Sequence, residues 1–552
     1  MSAPIKHAWL RNLLFLGLCL VGLGAVGNNL LSRNRIEPPR ARDAALPTSD
    51  SFQATLRALD REFRETWQEY DLQPTNRADD LAIARRLALG LCGTVPSVEE
   101  IRALEAQPAD KRVQWFVSHL LEDRRSADYL AERFARAYVG TENGPFLVYR
   151  RRRFVSWLSD KLHENAGYDQ IVRELIADTG LWTSSPAVNF VTVTLDSNQD
   201  NQPDEIRLAA RTTRAFLGMR IDCLQCHEDK LAKFAFGADE RSGEQQDFHR
   251  LAAFFTEAKQ SPTGVRDQMG REYEYQYLHA KETEKVEPQV PFQAELVEPA
   301  GPRRQQLARW VTHPENKMFA RATVNRVWAL MVGRPLVQPI DDIALTGPYP
   351  PGLETLAEDF VQHDYNLRRL VRLIAATEAY QRDSRADFEI TAAHENHWAA
   401  FPLSRLRPEQ VAGSLIQAAS LATIDAHAHI VTQLTKFGQT QEFVQRYGDT
   451  GDDEFTDRGG TITQRLLMMN GNLVKERTDN NIVINAATRL AQLASDENAI
   501  ESAYLATLTR RPSDEERAAF KKSLTERSSG DSRSQAVEDM YWVLLNSTEF
   551  SW

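Results

Sequence analysis

The sequence is poor in cysteine and has no excess of positive charge, and each shortage excludes a class of protein. Only 4 of the 552 residues are cysteine, and a chain of this length can bury a substantial core, so it is not a small scaffold held together by disulfides. The 66 lysine and arginine residues are outnumbered by 77 aspartate and glutamate residues, which gives a net charge of -11. Because nucleic-acid binding requires clustered cations to contact phosphates, we expect no nucleic-acid partner.

The chain also lacks the short motifs of several common enzymes. It has no Gly-x-Ser-x-Gly, no His-Glu-x-x-His and no P-loop. These motifs are typical of serine hydrolases, zinc proteases and nucleotide-binding enzymes, so none of the three chemistries has direct support in the sequence.

The N-terminus has the layout of an export segment. Lys6, His7 and Arg11 precede an apolar run from Leu13 to Gly27, as in a charged n-region followed by an h-region. We predict that residues 1–31 are a signal peptide or a membrane anchor and that the proline-bearing stretch 32–50 is a flexible tether. The protein is therefore expected to be periplasmic or otherwise extracytoplasmic, and attached to the inner membrane if the segment is not cleaved.

The rest of the chain is predicted to be mainly α-helical. Apolar residues recur at spacings of three and four along most of it, as on the buried face of an amphipathic helix. Ser97 with Glu100, and Ser513 with Glu516, have the spacing of capping boxes and mark two helix starts.

A polar, proline-bearing region divides the helical part into two predicted domains. We place the first domain at 51–260, the linker region at 261–302 and the C-terminal domain at 303–552. Short strands are expected in the linker region, at 273–280 and 290–297. The predicted fold is thus a mainly α, multi-helical two-domain protein with minor β structure in the connecting region, after an N-terminal signal or anchor helix.

The first domain contains the only Cys-x-x-Cys-His of the chain, formed by Cys223, Cys226 and His227. This is the attachment signature of haem c, in which two thiols bind the porphyrin and the imidazole binds the iron. The same three residues could instead supply zinc ligands, or close a disulfide beside an uninvolved His227. Cys92 is expected to be a buried thiol at a helix end and not a third ligand.

An acidic loop upstream of the motif is a candidate calcium site. Asp196, Asn198, Asp200 and Asp204 place oxygen atoms at positions 1, 3, 5 and 9 of the loop, and oxygen is the ligand that Ca²⁺ prefers. The loop is not an EF-hand, because Arg207 stands where a bidentate glutamate is expected. A plain solvated turn is the alternative.

The densest polar group of the second domain combines Arg326 with Asp341 and Asp342. We expect a buried ion pair between Arg326 and Asp342, and a carboxylate-arginine binding cleft is the alternative interpretation. A hydrolase that uses Asp341 or Asp342 has weaker support.

Several long segments resemble a known pair of domains. The sequences FLGMRIDCLQCHEDK at 216–230, DFHRLAAFF at 247–255 and IARRLALGLCGTVPSVEEI at 83–101 are similar to the planctomycete cytochrome-like domain, domain of unknown function 1549. The segments 303–343 and 356–385 resemble its usual C-terminal partner, the planctomycete-specific domain of unknown function 1553. The resemblance covers about residues 80 to 552.

The resemblance implies a site at the motif but no established activity. Members of the family usually continue Cys-His-Asp-His-Lys, whereas Glu228 and Asp229 follow His227 in this chain. A metal cluster of the Cys-Cys-His-His type would therefore need a replacement ligand, such as Asp229 or His249. Haem would need only His227 as its proximal ligand.

Two functions follow from these readings of the sequence. In the first, the motif carries haem c and the protein transfers electrons to a redox partner outside the cytoplasm. In the second, the motif holds zinc or a disulfide in a non-haem binding or scaffold protein that recognises an extracellular ligand.

Overall fold

The computed structural model describes residues 16–17, 46–141, 149–195, 200–228, 235–236, 241–424, 443–448, 455, 461–471, 474–475, 486–492, 495–527 and 530–551. The predicted signal or anchor segment therefore lies almost entirely outside the described residues. None of the helices within the described ranges is long and apolar enough to cross a membrane.

The fold is mainly α-helical, as the hydrophobic spacing predicts. The α-helices of the first half are Asp50–Glu69, Asp80–Cys92, Val98–Glu105, Arg112–Glu122, Arg124–Val139, Arg151–His163, Tyr168–Ala177, Asn189–Thr192, Glu205–Thr212 and Gln245–Ala252. Those of the second half are Arg303–Val311, Lys317–Val332, Leu353–Gln362, Leu367–Ala376, Glu378–Gln381, Ala392–Asn396, Pro408–Ala418, Ile462–Asn470, Ala486–Ala491, Asp496–Leu508, Asp514–Glu526 and Gly530–Leu545.

Short β structure lies near and within the connecting region. Among the described residues, three two-stranded antiparallel pairs form, Ala235–Phe236 with Arg241–Ser242, Ala258–Ser261 with Gly264–Asp267, and Tyr273–Tyr275 with Glu284–Val286. The strand expected at 273–280 is confirmed over its first three residues. The strand expected at 290–297 is wrong, because its centre, Ala294–Leu296, is a 3₁₀ turn.

Local capping explains where several helices begin and end. Both predicted capping boxes are present, at Ser97 with Glu100 and at Ser513 with Glu516. The Asp80–Cys92 helix ends at Gly93, whose φ of +67° suits glycine and whose added Cβ would lie 2.4 Å from the Tyr129 ring.

The Lys317–Val332 helix forms the centre of the larger hydrophobic core. Every residue from Met318 to Val332 is buried, so this helix is covered on all sides. It packs against the Asp80–Cys92 helix so closely that a Cβ on Gly90 would lie 3.0 Å from the Cα of Met331.

The hydrophobic core crosses the predicted linker region. The larger core contains residues from Phe52 to Phe401 and so combines helices from both sides of 261–302. A smaller core joins Leu89 and Val95 to residues between Leu406 and Phe550. The polar linker region is therefore a boundary in the sequence, but it does not mark the boundary between the two hydrophobic cores.

A buried ion pair ties three helices of the first half together. Glu100 is fully buried, and its carboxylate accepts hydrogen bonds from the backbone of Ser97, from His119 and from the guanidinium of Arg125. Burial alone would raise the pKa of Glu100, but Arg125 and these hydrogen bonds hold it well below its usual range.

We predict that Glu100→Gln lowers the free energy of unfolding by about 3 kcal/mol, because it removes the buried carboxylate from Arg125 and leaves that buried charge with Asp123 as its remaining anion. The folded-state pKa of Glu100 is depressed, so its contribution is complete above the ordinary value of 4.5 and is lost as the pH falls below it. Urea unfolding followed by circular dichroism at pH 7 and pH 3 measures both effects.

Glu65→Gln is the matched control, since Glu65 is exposed and 4.0 Å from Arg61. It should change the free energy of unfolding by less than about 1 kcal/mol. If the two variants unfold at the same urea concentration at pH 7, the buried pair does not stabilise the fold as argued.

Candidate functional site

The Cys-x-x-Cys-His motif lies on a 3₁₀ turn, Ile221–Gln225, whose apolar side is buried in the larger core. Ile221 and Leu224 are buried, whereas Cys223, Cys226 and His227 are exposed. The two aliphatic side chains therefore pack in the core, and the side chains of the motif face solvent.

The two thiols project from the same side of the turn. The backbone N–H of Cys226 donates to the carbonyl of Cys223 at 3.3 Å, which is the three-residue bond of a 3₁₀ helix. Side chains three residues apart in that geometry lie one above the other. Among the cysteines that the structure describes, none forms a disulfide.

The histidine has one ring nitrogen engaged by the backbone. His227 Nδ1 lies 2.9 Å from the carbonyl oxygen of Glu228. Because a carbonyl only accepts hydrogen bonds, Nδ1 carries the proton and the neutral ring keeps a lone pair on Nε2. This tautomer leaves Nε2 available to bind a metal.

Three side chains converge on one backbone carbonyl inside the motif. The Gln225 carbonyl accepts from Gln245 Nε2 at 2.9 Å, His249 Nε2 at 3.0 Å and the Tyr275 hydroxyl at 3.1 Å. These donors come from the Gln245–Ala252 helix and the third strand pair. They fix the backbone between the two cysteines to elements that follow the motif.

Both ring nitrogens of His249 form hydrogen bonds in this supporting network. Its Nε2 donates to Gln225, and its Nδ1 accepts from the Tyr273 hydroxyl at 2.9 Å. The ring is buried and stacks on Tyr275 with centroids 3.4 Å apart, and burial lowers the pKa of His249. In this arrangement His249 holds the motif in place and has no nitrogen left for a metal.

The residues that the structure describes form no ready metal site, at the motif or elsewhere. No group of three or more His, Cys, Asp or Glu side chains within the described ranges is placed to hold a metal ion. Asp229, the other predicted additional ligand, lies outside those ranges. The Glu228 carboxylate accepts the backbone N–H of Gln245 at 3.1 Å, so it caps the following helix.

The candidate calcium loop is described only in its second half. Asp196 and Asn198 lie outside the described residues, and the calcium site stays a prediction. Asp200 accepts the N–H of Gln202 at 2.9 Å, and Asp204 caps the Glu205–Thr212 helix by accepting the N–H of Arg207 at 3.0 Å. Both carboxylates thus bond the local backbone.

The predicted ion pair between Arg326 and Asp342 is wrong. Both residues are described, and no ion pair between them is found in the structure. The carboxylate that pairs is the neighbouring one: Asp341 accepts from Arg214 Nε at 3.0 Å and from Arg220 Nη2 at 2.8 Å. Arg326 instead interacts electrostatically with two buried tyrosines, Tyr138 and Tyr168.

Asp341 connects the second half of the chain to the motif. Its partners Arg214 and Arg220 both precede Cys223, and the N–H of Ile343 donates to the Gly218 carbonyl at 2.8 Å. Asn325 holds this loop in turn, by donating to the carbonyls of Val337 and Ile340. The motif is therefore supported from both sides, by residues that the sequence alone does not link.

We predict that the three cysteines within the described ranges differ in thiol reactivity. The test uses protein produced in a host that lacks the machinery for haem attachment, so that the thiols of the motif stay unmodified. Iodoacetamide should alkylate the exposed Cys223 and Cys226 in the folded protein, and Cys92, which is only 7% exposed, at least about tenfold more slowly. Peptide mass mapping of timed samples gives the three rates. Denatured protein is the control, and equal rates before denaturation would contradict the burial of Cys92.

Two family models match the chain, in the order that the sequence predicts. The model described as PSCyt2, protein of unknown function (DUF1549), matches residues 58–260. The model described as PSD1, protein of unknown function (DUF1553), matches residues 303–454. No curated protein and no solved structure matches the chain. The chain therefore belongs to the proteins of unknown function in which a PSCyt2 domain is followed by a PSD1 domain.

Proposed function

We propose that this protein attaches haem c covalently at Cys223, Cys226 and His227 and transfers electrons outside the cytoplasm. The observation that supports this most directly is the state of the motif: two exposed thiols on one side of a 3₁₀ turn, followed by a histidine whose Nδ1 is bound to a carbonyl. A haem-binding histidine needs this orientation, because its Nε2 must face the iron.

Each side chain has a distinct part in holding the group. The sulfur of Cys223 and that of Cys226 would each add to a vinyl group of the porphyrin, forming a carbon–sulfur bond while the thiol proton goes to the other vinyl carbon. His227 Nε2 would bind the iron. When bound, haem supplies a centre that accepts and releases single electrons.

The departure from the family pattern favours haem over zinc. Asp229 stands where the family has the second histidine, so the fourth ligand of a zinc site would have to be a carboxylate, because His249 is committed to Gln225 and Tyr273. Haem attachment uses only the two thiols and His227, all of which are present. The replacement of the family's second histidine therefore weakens the zinc interpretation and does not affect the haem interpretation.

The export segment agrees with this proposal. Covalent haem attachment takes place outside the cytoplasm, and the charged and apolar pattern of residues 1–31 is the sequence feature that would send the chain there. Location and motif thus support each other, although each rests on its own residues.

We predict a Soret absorbance that survives denaturation when the full chain is produced in a host that matures c-type cytochromes. Cys223→Ala combined with Cys226→Ala should abolish the covalently held absorbance, because no thioether can form. His227→Ala should keep some covalent haem but change the spectrum, because the iron loses its axial nitrogen. Visible spectra and metal analysis of the purified proteins measure these outcomes.

Cys92→Ala is the matched control and should leave the absorbance unchanged, since Cys92 is buried at the end of the Asp80–Cys92 helix and is not part of the motif. A colourless protein with one zinc ion, or one with neither metal nor reactive thiols at the motif, would overturn the proposal. The protein would then be a non-haem binding or scaffold protein.

A further inference from the structure

A deep cleft lies where the two hydrophobic cores meet. Its volume is about 1300 Å³, and its walls include Leu330 and Phe401 of the larger core and Leu89 and Leu406 of the smaller one. Its lining comes from both sequence halves, including the Asp80–Cys92 helix. Most sites for single small molecules occupy roughly 300 to 1000 Å³, so this cleft has room for a larger ligand.

The lining of the cleft is strongly basic although the protein is acidic. The described residues that line it include eight arginines and four carboxylates, an excess of four positive charges, whereas the whole chain has a net charge of -11. The arginines are Arg85, Arg86, Arg220, Arg334, Arg385, Arg405, Arg407 and Arg510. Three of these arginines also pair with carboxylates outside the lining, Arg220 with Asp341, Arg407 with Glu409 and Arg510 with Glu516. The excess of arginine that remains favours anions in the cleft.

Three of these arginines form no ion pair with a carboxylate among the residues that the structure describes. More distant carboxylates still act on two of them, Glu549 on Arg85, and Asp79 and Asp383 on Arg86. Arg85 donates to the carbonyls of Thr507 and Phe550, at 3.1 and 3.2 Å. Arg405 donates to the Tyr447 hydroxyl at 3.1 Å.

Arg86, the third of them, bonds only to uncharged groups. It donates to the Arg382 carbonyl at 2.6 Å and to the Ser384 hydroxyl at 3.1 Å, and its Cζ lies 3.7 Å from the centre of the Phe401 ring. Burial lowers the pKa of Arg85 and of Arg86 to about 10, so both stay charged at neutral pH. Half-buried cations that bond only to neutral groups gain most from an added anion.

The remaining arginines of the cleft are already neutralised to different degrees. Arg510 pairs with Glu549 at 2.7 Å, and Arg334 pairs with Glu395 at 3.3 Å. Arg385 is 78% exposed and lies 3.8 Å from Glu549. Within the described ranges, Arg85, Arg86 and Arg405 are therefore the cleft arginines that form no ion pair, and they lie on two different segments of the cleft wall.

We propose that this cleft binds an organic anion that carries several carboxylate, sulfate or phosphate groups. Guanidinium groups form paired hydrogen bonds with all three of these groups, which is the shared chemistry. The volume and the separate arginines favour a ligand with more than one charged group. A nucleic acid is not favoured, because the excess of positive charge is confined to the cleft of an acidic protein.

The cleft also reaches the segment that carries the motif. Arg220 lines the cleft, and its carbonyl oxygen lies 3.9 Å from the sulfur of Cys223. The binding proposal does not depend on haem, and its test needs no cofactor.

We expect saturable binding of at least one polyanion in isothermal titration calorimetry with the full chain. The probes are tetragalacturonate for carboxylates, sucrose octasulfate for sulfates and tripolyphosphate for phosphates, with maltotetraose as the uncharged control. Arg405→Gln should weaken binding about tenfold, as expected for the loss of one charge-assisted contact. Arg405→Lys should recover part of the loss, and added salt should weaken binding by the wild-type chain.

Two further variants guard against effects on folding. Arg385→Gln changes an exposed side chain at the cleft and should weaken binding without changing the melting temperature. Arg527→Gln removes an exposed arginine that pairs with Asp539 outside the cleft, and it should bind like the wild type. The proposal is overturned if no polyanion binds at millimolar concentration, if maltotetraose binds equally well, or if Arg527→Gln weakens binding as much as Arg405→Gln.

Discussion

The close crossing of two helices at Gly90 determines how the two halves of this chain meet. The Asp80–Cys92 helix belongs to the PSCyt2 match and the Lys317–Val332 helix to the PSD1 match, and their backbones approach so closely at Gly90 that a Cβ there would require Met331 to move by a few tenths of an ångström. Any larger residue at position 90 would push its Cβ against Met331. Such close contact leaves little freedom for one family domain to move against the other, because packed interiors resist small displacements.

This crossing places functional residues as well as core residues. The helix that contains Gly90 also contains Arg85 and Arg86, which line the cleft. On the other helix, Met331 is followed by Gly333 and Arg334, which line the cleft as well. The second domain also supplies Asp341, which binds Arg214 and Arg220 ahead of the motif. A PSCyt2 domain without its PSD1 partner would therefore lack one side of the cleft and one support of the cysteine turn.

Features that depend on residues close together in the sequence could be predicted from the sequence alone. The capping boxes at Ser97 and Ser513 need partners only three residues away, so spacing identifies them. The ion pairs of Asp341 join residues more than a hundred positions apart, and the donors that hold the 3₁₀ turn at the motif lie 20 to 50 positions beyond Gln225. Choosing Asp341 over Asp342 as the paired carboxylate required the loop geometry that Asn325 fixes, and no periodicity contains that information.

His249 shows the same limit at the candidate site. Its position after the motif made it a reasonable metal ligand from the sequence, since histidine is a common ligand and the family's second histidine is missing. The fold uses it otherwise, because a carbonyl on one side and a tyrosine hydroxyl on the other occupy both ring nitrogens. Sequence identifies which residues have the chemistry to bind a cofactor, whereas hydrogen-bond partners decide which of them are free to do so.

The distribution of charge favours two separate sites, one at the Cys-x-x-Cys-His motif and one in the cleft, although Arg220 lies close to both. At the motif, Asp222 and Glu228 flank the exposed thiols, whereas arginines outnumber carboxylates in the lining of the cleft beyond Arg220. Asp341 lies between the two environments and neutralises Arg220 from the second domain. An anion held by Arg85, Arg86 and Arg405 would therefore be attracted to the cleft and repelled by the carboxylates beside the cysteines, so charge alone would keep it from occupying the turn.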